Sequence, residues 1–347
     1  MKNSPALRGA TLALLAAALF GLSAPLIRHF GIATGPWTTA ALLYVGAACA
    51  GFLWRSGVAK EAAVRRSDWP RLGMMALFGG AFAPFALAWG LQRTSALSGS
   101  LALTLEAVFT AVLAAIFYRE HLGRRVIAAV ILISTGGLLL AYDSAHAGEL
   151  GLLGFLAVIG ATLAWGVDNT LSRPLAERDP GSVVLYKAAA GSACSILFAF
   201  LFAESLPTPD AALVLLLIGL FAYGMSLRFY LFAQRAFGAA RTGSVFATAP
   251  FIGAVAALAL GERGVTVWLA SGAALILIGV VLHLTERHRH WHQHQPMEHE
   301  HAHTHGDGHH EHSHEVMPAA AHSHWHSHAA VAHSHAHVPD LHHTHQH

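Results

Sequence analysis

The sequence predicts an all-α integral membrane protein of ten transmembrane helices, arranged as two inverted five-helix repeats and followed by a disordered C-terminal tail. Four observations predict this fold. Charged residues make up only 12% of the 347 residues, against about 25% in a typical soluble domain. The apolar residues form long blocks, and the two halves of the chain match each other. After residue 284 the composition changes abruptly to a histidine-rich segment.

Each apolar block is long enough, or nearly so, to cross a bilayer core, which takes roughly 20 helical residues. Continuous apolar runs favour helices over a barrel, whose strands alternate in polarity over about ten residues. The ten blocks lie near residues 9–27, 37–54, 72–91, 96–118, 126–142, 150–170, 183–203, 211–233, 242–260 and 265–284.

Lysine and arginine in the loops predict the orientation, because cytoplasmic loops carry an excess of these residues. With the N-terminus in the cytoplasm, sixteen Lys and Arg residues lie on that side and only Arg28, Arg93 and Arg263 on the other. We therefore expect a multi-pass protein of the cytoplasmic membrane, with the lipid bilayer around it and both termini in the cytoplasm.

The two halves of the chain match at offsets of 145 and 142 residues. The matching residues are Phe20-Gly21 and Arg28 with Trp165-Gly166 and Arg173, and Gln92-Arg93 and Glu120 with Gln234-Arg235 and Glu262. Each half holds five spans, an odd number, so the halves have opposite orientations. We expect repeats at residues 1–145 and 146–285, with a substrate site near the midplane where they meet.

The fourth and fifth spans of each half carry the most specific pattern. It comprises Leu105-Glu106-Ala107-Val108-Phe109, Arg119-Glu120 and Gly136-Gly137, then Gly238-Ala239-Ala240-Arg241, Ala249-Pro250-Phe251, Gly261-Glu262 and Gly279-Val280-Val281. Over residues 8–284 the chain resembles the EamA-type permeases of the drug/metabolite transporter superfamily. The family's Glu-Pro pair is split, with Glu106 in one half and Pro250 in the other. The resemblance implies ten helices, cytoplasmic termini and secondary transport of a small molecule, often export.

Six residues are candidates for substrate binding or ion coupling. A charge at mid-bilayer costs at least about 2.5–3.5 kcal/mol, so it normally faces a partner or a water-filled cavity. We expect Glu106, near the middle of the fourth span, to face a central cavity with Arg228. Glu106 can then exchange a proton or bind a cationic substrate; the alternative is a permanent ion pair that only locks two helices. The other candidates, nearer the interface, are Asp168, Asn169, Tyr186 and Lys187.

Local residues also predict how some helices begin and bend. Glu120 and Glu262 each follow a helix end, so we expect each to cap the next helix, where a carboxylate meets free N–H groups. Pro25, Pro84 and Pro250 lie within spans, and each removes a backbone hydrogen bond and can kink its helix.

Residues 286–347 form a histidine-rich tail that predicts binding of divalent metal. Residues 285–347 hold 23 of the 27 histidines, many at alternate positions, which lie on one side of an extended chain. Imidazole suits Zn, Ni, Co and Cu(II), although no metal is expected as a required cofactor. A pH sensor and a tolerated low-complexity extension stay open as alternatives. The candidate ligands are His288, His290, His292, His294, His299, His301, His303, His305, His322, His324, His326, His328, His333, His335 and His337.

The favoured interpretation is a secondary active transporter that exports a small organic metabolite or toxic compound, with a regulatory or buffering metal-binding tail. The alternatives are a divalent metal (Ni, Co or Zn) transporter and a membrane-tethered metal-binding protein. An enzyme is not expected, because no nucleophile elbow, phosphate loop or two-metal cluster is found. The net charge of +2 does not indicate a nucleic-acid partner, and the oligomeric state is open between a monomer and a homodimer.

Overall fold

The computed structural model consists of a helical membrane-spanning body and four short strands in the tail. It describes residues 5–53, 63–118, 122–175, 178–237, 239–284, 289–293, 297–303, 322–328 and 332–336. The α-helices are α1 (Pro5–Gly21), α2 (Ser23–Gly31), α3 (Pro36–Leu53), α4 (Trp69–Met75), α5 (Ala83–Leu91), α6 (Ala96–Ala102), α7 (Leu105–Tyr118), α8 (Arg124–His146), α9 (Glu149–Ser172), α10 (Pro180–Leu201), α11 (Pro209–Ile218), α12 (Ser226–Phe237), α13 (Ala239–Phe246), α14 (Ala249–Ala259) and α15 (Val267–Leu284).

Eight helical segments of the described chain are long and apolar enough to cross a membrane. They are Leu7–Gly31, Pro36–Leu53, Arg66–Leu91, Ala96–Tyr118, Arg124–His146, Glu149–Leu175, Pro180–Leu201 and Pro209–Tyr230. The ninth and tenth predicted blocks contain the shorter apolar helices Ala249–Ala259 and Val267–His283. The predicted all-α membrane fold is confirmed.

Three blocks predicted as continuous helices are interrupted near the middle. The interruptions lie at Leu22, at residues 103–104 and at residues 247–248. At the last two breaks the chain makes a tight turn in which a threonine donates both its backbone N–H and its hydroxyl to one carbonyl: Thr104 to the Leu101 oxygen and Thr248 to the Val245 oxygen, with each hydroxyl at 2.6 Å. Pro250 favours a new helix at the third break, because it has no N–H and fits the first turn.

Two further spans each contain a π-helical turn, Ala76–Phe82 between α4 and α5, and Gly219–Met225 between α11 and α12. Turns of this kind are rare and are often found at functional sites. The first turn also lets α10 approach closely, since a Cβ atom on Gly191 would lie 2.7 Å from the backbone of Gly80. Neither turn has a signature in the apolar pattern of the sequence.

Helices from the two halves pack together around one hydrophobic core. α6 packs on α14 and α2, α1 packs on α12, α13 and α14, and α3 packs on α10 and the second π-helical turn. The core includes Leu87, Leu101 and Phe155, all fully buried. The domain limits at residues 145 and 285 stay a prediction.

The described part of the tail consists of β1 (Arg289–Gln293), β2 (Met297–His303), β3 (His322–His328) and β4 (Ala332–Ala336). β1 pairs with β4, and β2 pairs with β3, both in antiparallel orientation. In the β2–β3 pair, His299 lies opposite His326 and His301 lies opposite His324. A two-stranded sheet alone is marginally stable in water. The lack of a stable fold in the tail therefore stays a prediction.

Candidate functional site

The interrupted helices meet inside the bundle with their backbones in contact. A Cβ atom on Gly253 of α14 would lie 2.6 Å from the Gly21 carbonyl oxygen and 2.9 Å from Ser100 Oγ on α6. Only glycine permits this approach. Irregular backbone at membrane depth is tolerated where protein buries it or where it lines a cavity, so this meeting point is the first candidate for a binding site.

Glu106 lies in the first turn of α7, directly after one of these breaks. Its Oε1 accepts a hydrogen bond from Asn169 Nδ2 on α9 at 2.8 Å, and the same amide lies 3.4 Å from Thr110 Oγ1. The N-terminus of a helix favours a negative charge, so α7 itself stabilises the carboxylate. The packing of α7 on α9 thus brings together two of the predicted site residues.

Arg228, on α12, lies against an aromatic ring of the same helix. Its guanidinium carbon lies 4.9 Å from the centre of the Phe232 ring. The expectation that Arg228 shares a central cavity with Glu106 stays a prediction, and so does the ion-pair alternative for Glu106.

Asp168 and Lys187 form an ion pair between α9 and α10. Their side chains are only 6% and 18% exposed, so both charged groups are withdrawn from solvent. Gly79 leaves room for the Asp168 carboxylate, with which a Cβ atom at residue 79 would overlap. The Asp168–Lys187 ion pair is therefore buried within the helical body and is not a surface contact.

The carbonyl of Gly79, in the first π-helical turn, accepts two side-chain hydrogen bonds. The donors are the Tyr44 hydroxyl and Trp165 Nε1, the second at 3.2 Å. Tyr186 packs against Trp69, with ring centres 5.2 Å apart and the ring planes tilted by 44°. It also packs on the small hydrophobic cluster of Leu72, Met75 and Leu175.

Six rings form an aromatic cluster beside these residues: Phe20, Tyr44, Trp165, Tyr223, Tyr230 and Phe246. Phe20 is central, with ring centres 6.4, 5.9 and 5.5 Å from those of Trp165, Tyr223 and Phe246. Sequence reasoning missed the cluster, although the repeat match of Phe20 with Trp165 was a signal for it.

At one end of the bundle, which we call the Arg28 end, charged side chains tie the halves together. Arg28 Nε lies 3.1 Å from Glu262 Oε1, and the guanidinium also donates to the carbonyls of Leu91 and Thr94. Glu262 accepts the backbone N–H groups of Ala96 and Leu97, at 2.8 and 2.9 Å. Glu262 therefore caps α6 of the other half, and the expectation that it caps the next helix is wrong. Glu120 lies outside the described residues.

The broken helices are joined at the Arg28 end and take different partners beyond it. α6 packs on α14 and α2, whereas α7 packs on α9 and α8, and α13 packs on α1 and α12. A cavity of about 320 Å³, lined by residues including Pro25, Ile32 and Ala257, lies beside the Arg28–Glu262 pair. These contacts hold the two halves together at the Arg28 end, where Ala257 beside them is buried.

Glu262→Gln is expected to loosen the Arg28 end. The substitution removes the charge that pairs with Arg28 and weakens the α6 cap, which together cost roughly 1–2 kcal/mol. For the measurement, Cys49 and Cys194 are replaced and a single cysteine is introduced at Ala257, which is 1% exposed in this state. In the Glu262→Gln variant this cysteine should react faster with a membrane-impermeant maleimide. Glu149→Gln, at an exposed carboxylate of the same end, is the matched control, and equal rates in both variants would contradict the role of these contacts in holding the halves together.

The part of the chain with described side chains contains no group of three or more His, Cys, Asp or Glu residues placed to hold a metal ion. The tail ligands are not tested by this result, and they stay a prediction. Four of them, His288, His294, His305 and His337, lie outside the described residues.

Comparison with known proteins places the whole helical body in one class. The model of the EamA-like transporter family matches residues 7–142 and again 152–285. An uncharacterized transporter of Methanothermobacter thermautotrophicus is 25% identical over 227 residues, which cover 64% of this chain and 66% of that relative. One solved crystal structure is similar in fold, with a TM-score of 0.59 and 21% identity over 79% of this chain and 96% of that one.

Proposed function

Because the chain belongs to the EamA-like transporter family, we propose that this membrane transporter is a secondary active exporter of a small organic metabolite or toxic compound. The observation that carries the proposal is the position of Glu106 beside the meeting point of three interrupted helices. Its hydrogen-bond partner is the neutral Asn169 amide. A carboxylate held in this way can still bind and release a proton or a cation, which a buried ion pair would prevent.

Export is the direction that the family resemblance most often implies, and we propose it on that ground. The Lys and Arg distribution predicts that the Arg28 end faces outward from the cytoplasmic membrane. The sequence has no phosphate-binding loop, so we expect coupling to an ion gradient, with Glu106 as the coupling residue, rather than to ATP hydrolysis.

The tail is proposed to bind Zn, Ni, Co or Cu(II) and to regulate or buffer rather than to form part of the transport path. Its support is compositional, since histidines recur at alternate positions over residues 288–337 and imidazole is a common ligand of these ions. The tail contacts no substrate in this proposal, so its removal should leave the helical body able to transport.

The histidine-rich tail also favours a second candidate function, transport of the divalent metal itself. The helical body weighs against it, because its described side chains offer no cluster of metal ligands. A desolvated divalent ion needs several oxygen or nitrogen ligands at once. We therefore place metal transport second.

Cells producing the full-length chain are expected to release an organic solute that vector-only cells retain, and a chain ending at Glu286 should release it at a similar rate. The measurement compares the medium by mass spectrometry, together with cellular Zn, Ni, Co and Cu. Cellular metal should follow the tail alone. A fall in cellular metal produced equally by both forms, with no change in any organic solute, would contradict the proposal and support metal transport.

A further inference from the structure

The register of the two tail sheets pairs histidine with histidine. The described strands contain eleven histidines, and ten of them lie directly opposite another histidine. The eleventh, His328, lies opposite Met297. The five pairs are His290–His335, His292–His333, His299–His326, His301–His324 and His303–His322.

The same register separates the two faces of the β2–β3 sheet. Residues opposite each other share a face, and so do residues two apart along a strand. One face therefore holds all seven histidines of β2 and β3 together with Met297, and the other holds residues such as Glu300 and Trp325. A slip of the register by one residue would place every one of these histidines opposite a residue of another type. The pairing of histidines is thus specific to this register.

Both sheets share one register, because the partners of every pair lie equally far from the point between residues 312 and 313. In the first arm of the tail (β1 and β2) the histidines occupy even positions in β1 and odd positions in β2, and in the second arm (β3 and β4) even positions in β3 and odd positions in β4. Each arm changes phase once, over the seven-residue steps 292–299 and 326–333, which lie opposite each other in this register. A change in one arm alone would have left one sheet without histidine pairs. The matched change is a property of the sequence itself and supports pairing between the arms.

Spacing favours chelation of a metal ion across the strands rather than along one strand. Opposite residues in an antiparallel pair have Cβ atoms about 4.5–5.5 Å apart, whereas residues two apart on one strand are separated by about 6.6–6.8 Å. Two imidazole nitrogens on one Zn ion lie within about 4.2 Å of each other, because each Zn–N bond is about 2.0–2.1 Å long. The cross-strand pair is therefore the better-matched chelating unit, and two neighbouring pairs supply the four ligands of a tetrahedral site.

Resting on the metal-binding role proposed above for the tail, we propose that divalent metal folds the tail by binding to histidine pairs that its two arms contribute jointly. The two β1–β4 pairs form one four-imidazole site, and neighbouring pairs of β2–β3 form another. A two-stranded sheet alone is marginally stable in water, and metal binding to a site that the unfolded chain lacks contributes folding free energy. Arg289, shortly after the end of α15 at Leu284, pairs with Ala336. Metal thereby returns the far part of the tail to the end of α15.

Zn binding by the purified full-length protein tests the pairing with two variants that remove the same number of histidines. His299→Ala/His326→Ala removes both members of one pair and leaves two neighbouring pairs in β2–β3. His299→Ala/His322→Ala removes one member from each of two pairs and leaves only the middle pair. Zn affinity is measured by equilibrium dialysis in detergent against a competing chelator. We expect the first variant to keep the parent Kd within about threefold and the second to weaken binding at least about tenfold.

A pair of nitroxide spin labels reports the approach of the two arms directly. The labels are attached to Glu298→Cys and Ser327→Cys, at positions that lie opposite each other on the face without histidines, after Cys49 and Cys194 are replaced. Zn should produce strong dipolar broadening between the labels, and removal of Zn by the chelator should reverse it. The variant that breaks two pairs should need at least about tenfold more Zn for the same broadening.

Equal loss of Zn affinity in the two variants, greater loss in the first, or Zn binding without approach of the labels would each overturn the inference, because the ligands would then not come from paired arms. A chain ending at Glu286 is the reference for the tail as a whole. If that chain binds Zn as tightly as the full-length chain, the metal-binding role of the tail fails and the inference fails with it. Binding is measured without transport, so failure of the proposed export is a separate result.

Discussion

Glu106→Gln is expected to abolish export while the protein still inserts in the membrane. Glutamine has nearly the same shape and can keep the hydrogen bond from Asn169, but it can neither carry a charge nor exchange a proton. A residue that couples transport through its charge cannot be replaced by a neutral isostere. The measurement is the rate of solute release per molecule of protein in the membrane, with the amount determined by immunoblot.

Glu149→Gln is the control for this experiment, since Glu149 begins α9 at an exposed position and makes no contact with the site. It should transport at the parent rate. Asn169→Ala should fall between the two, because the Glu106 carboxylate remains but loses the amide that orients it. Unchanged release by Glu106→Gln would remove Glu106 from the mechanism.

Lys187→Met is expected to destabilise the protein by about 3–5 kcal/mol, because it leaves the Asp168 carboxylate buried without its cation. Asp168 Oδ1 already lacks a hydrogen-bond partner among the described residues, so loss of Lys187 would leave the carboxylate still less compensated. The expected result is low yield and a lower Tm in detergent, measured by a fluorescence-based unfolding assay.

The double variant Asp168→Asn/Lys187→Met should recover most of the lost stability, because it removes both charges together. Arg93→Met is the control, since Arg93 lies over the Trp89 ring and has no carboxylate partner in the described contacts. Equal destabilisation by the single and double variants would show that the two charges do not stabilise each other.

The sequence predicted the parts of the fold that depend on solvent preference. Apolar block lengths located the spans, and a charge inside an apolar block identified Glu106 as a candidate. The sequence did not predict the hydrogen-bond partner of Glu106, because that partner comes from another helix: Asn169 lies 63 residues from Glu106 in the chain. The position of Glu262 after a helix end predicted a capping role but assigned the wrong helix, since local reasoning considers only the next element, whereas Glu262 caps α6.

The π-helical turns and the break at residues 103–104 were beyond the sequence pattern, whereas Pro25 and Pro250 lie within three residues of the other two breaks, where the sequence predicts a lost backbone hydrogen bond. Hydropathy alone is the same for a continuous helix and for an interrupted one. The backbone groups released at a break must be satisfied by remote partners or by local hydroxyls such as that of Thr104, and hydropathy does not report these.

The cap that Glu262 provides for α6 has a consequence for biosynthesis. The carboxylate and the N–H of Ala96 are 166 residues apart in the chain, and Glu204 reaches back equally far to Thr38. At translation rates of about 5–20 residues per second, α3 and α6 wait roughly 8–30 s in the membrane before their capping residues emerge from the ribosome. The five spans of the first half therefore enter the bilayer before their fold is complete, and membrane quality-control proteases can reach them until the second half has been synthesised.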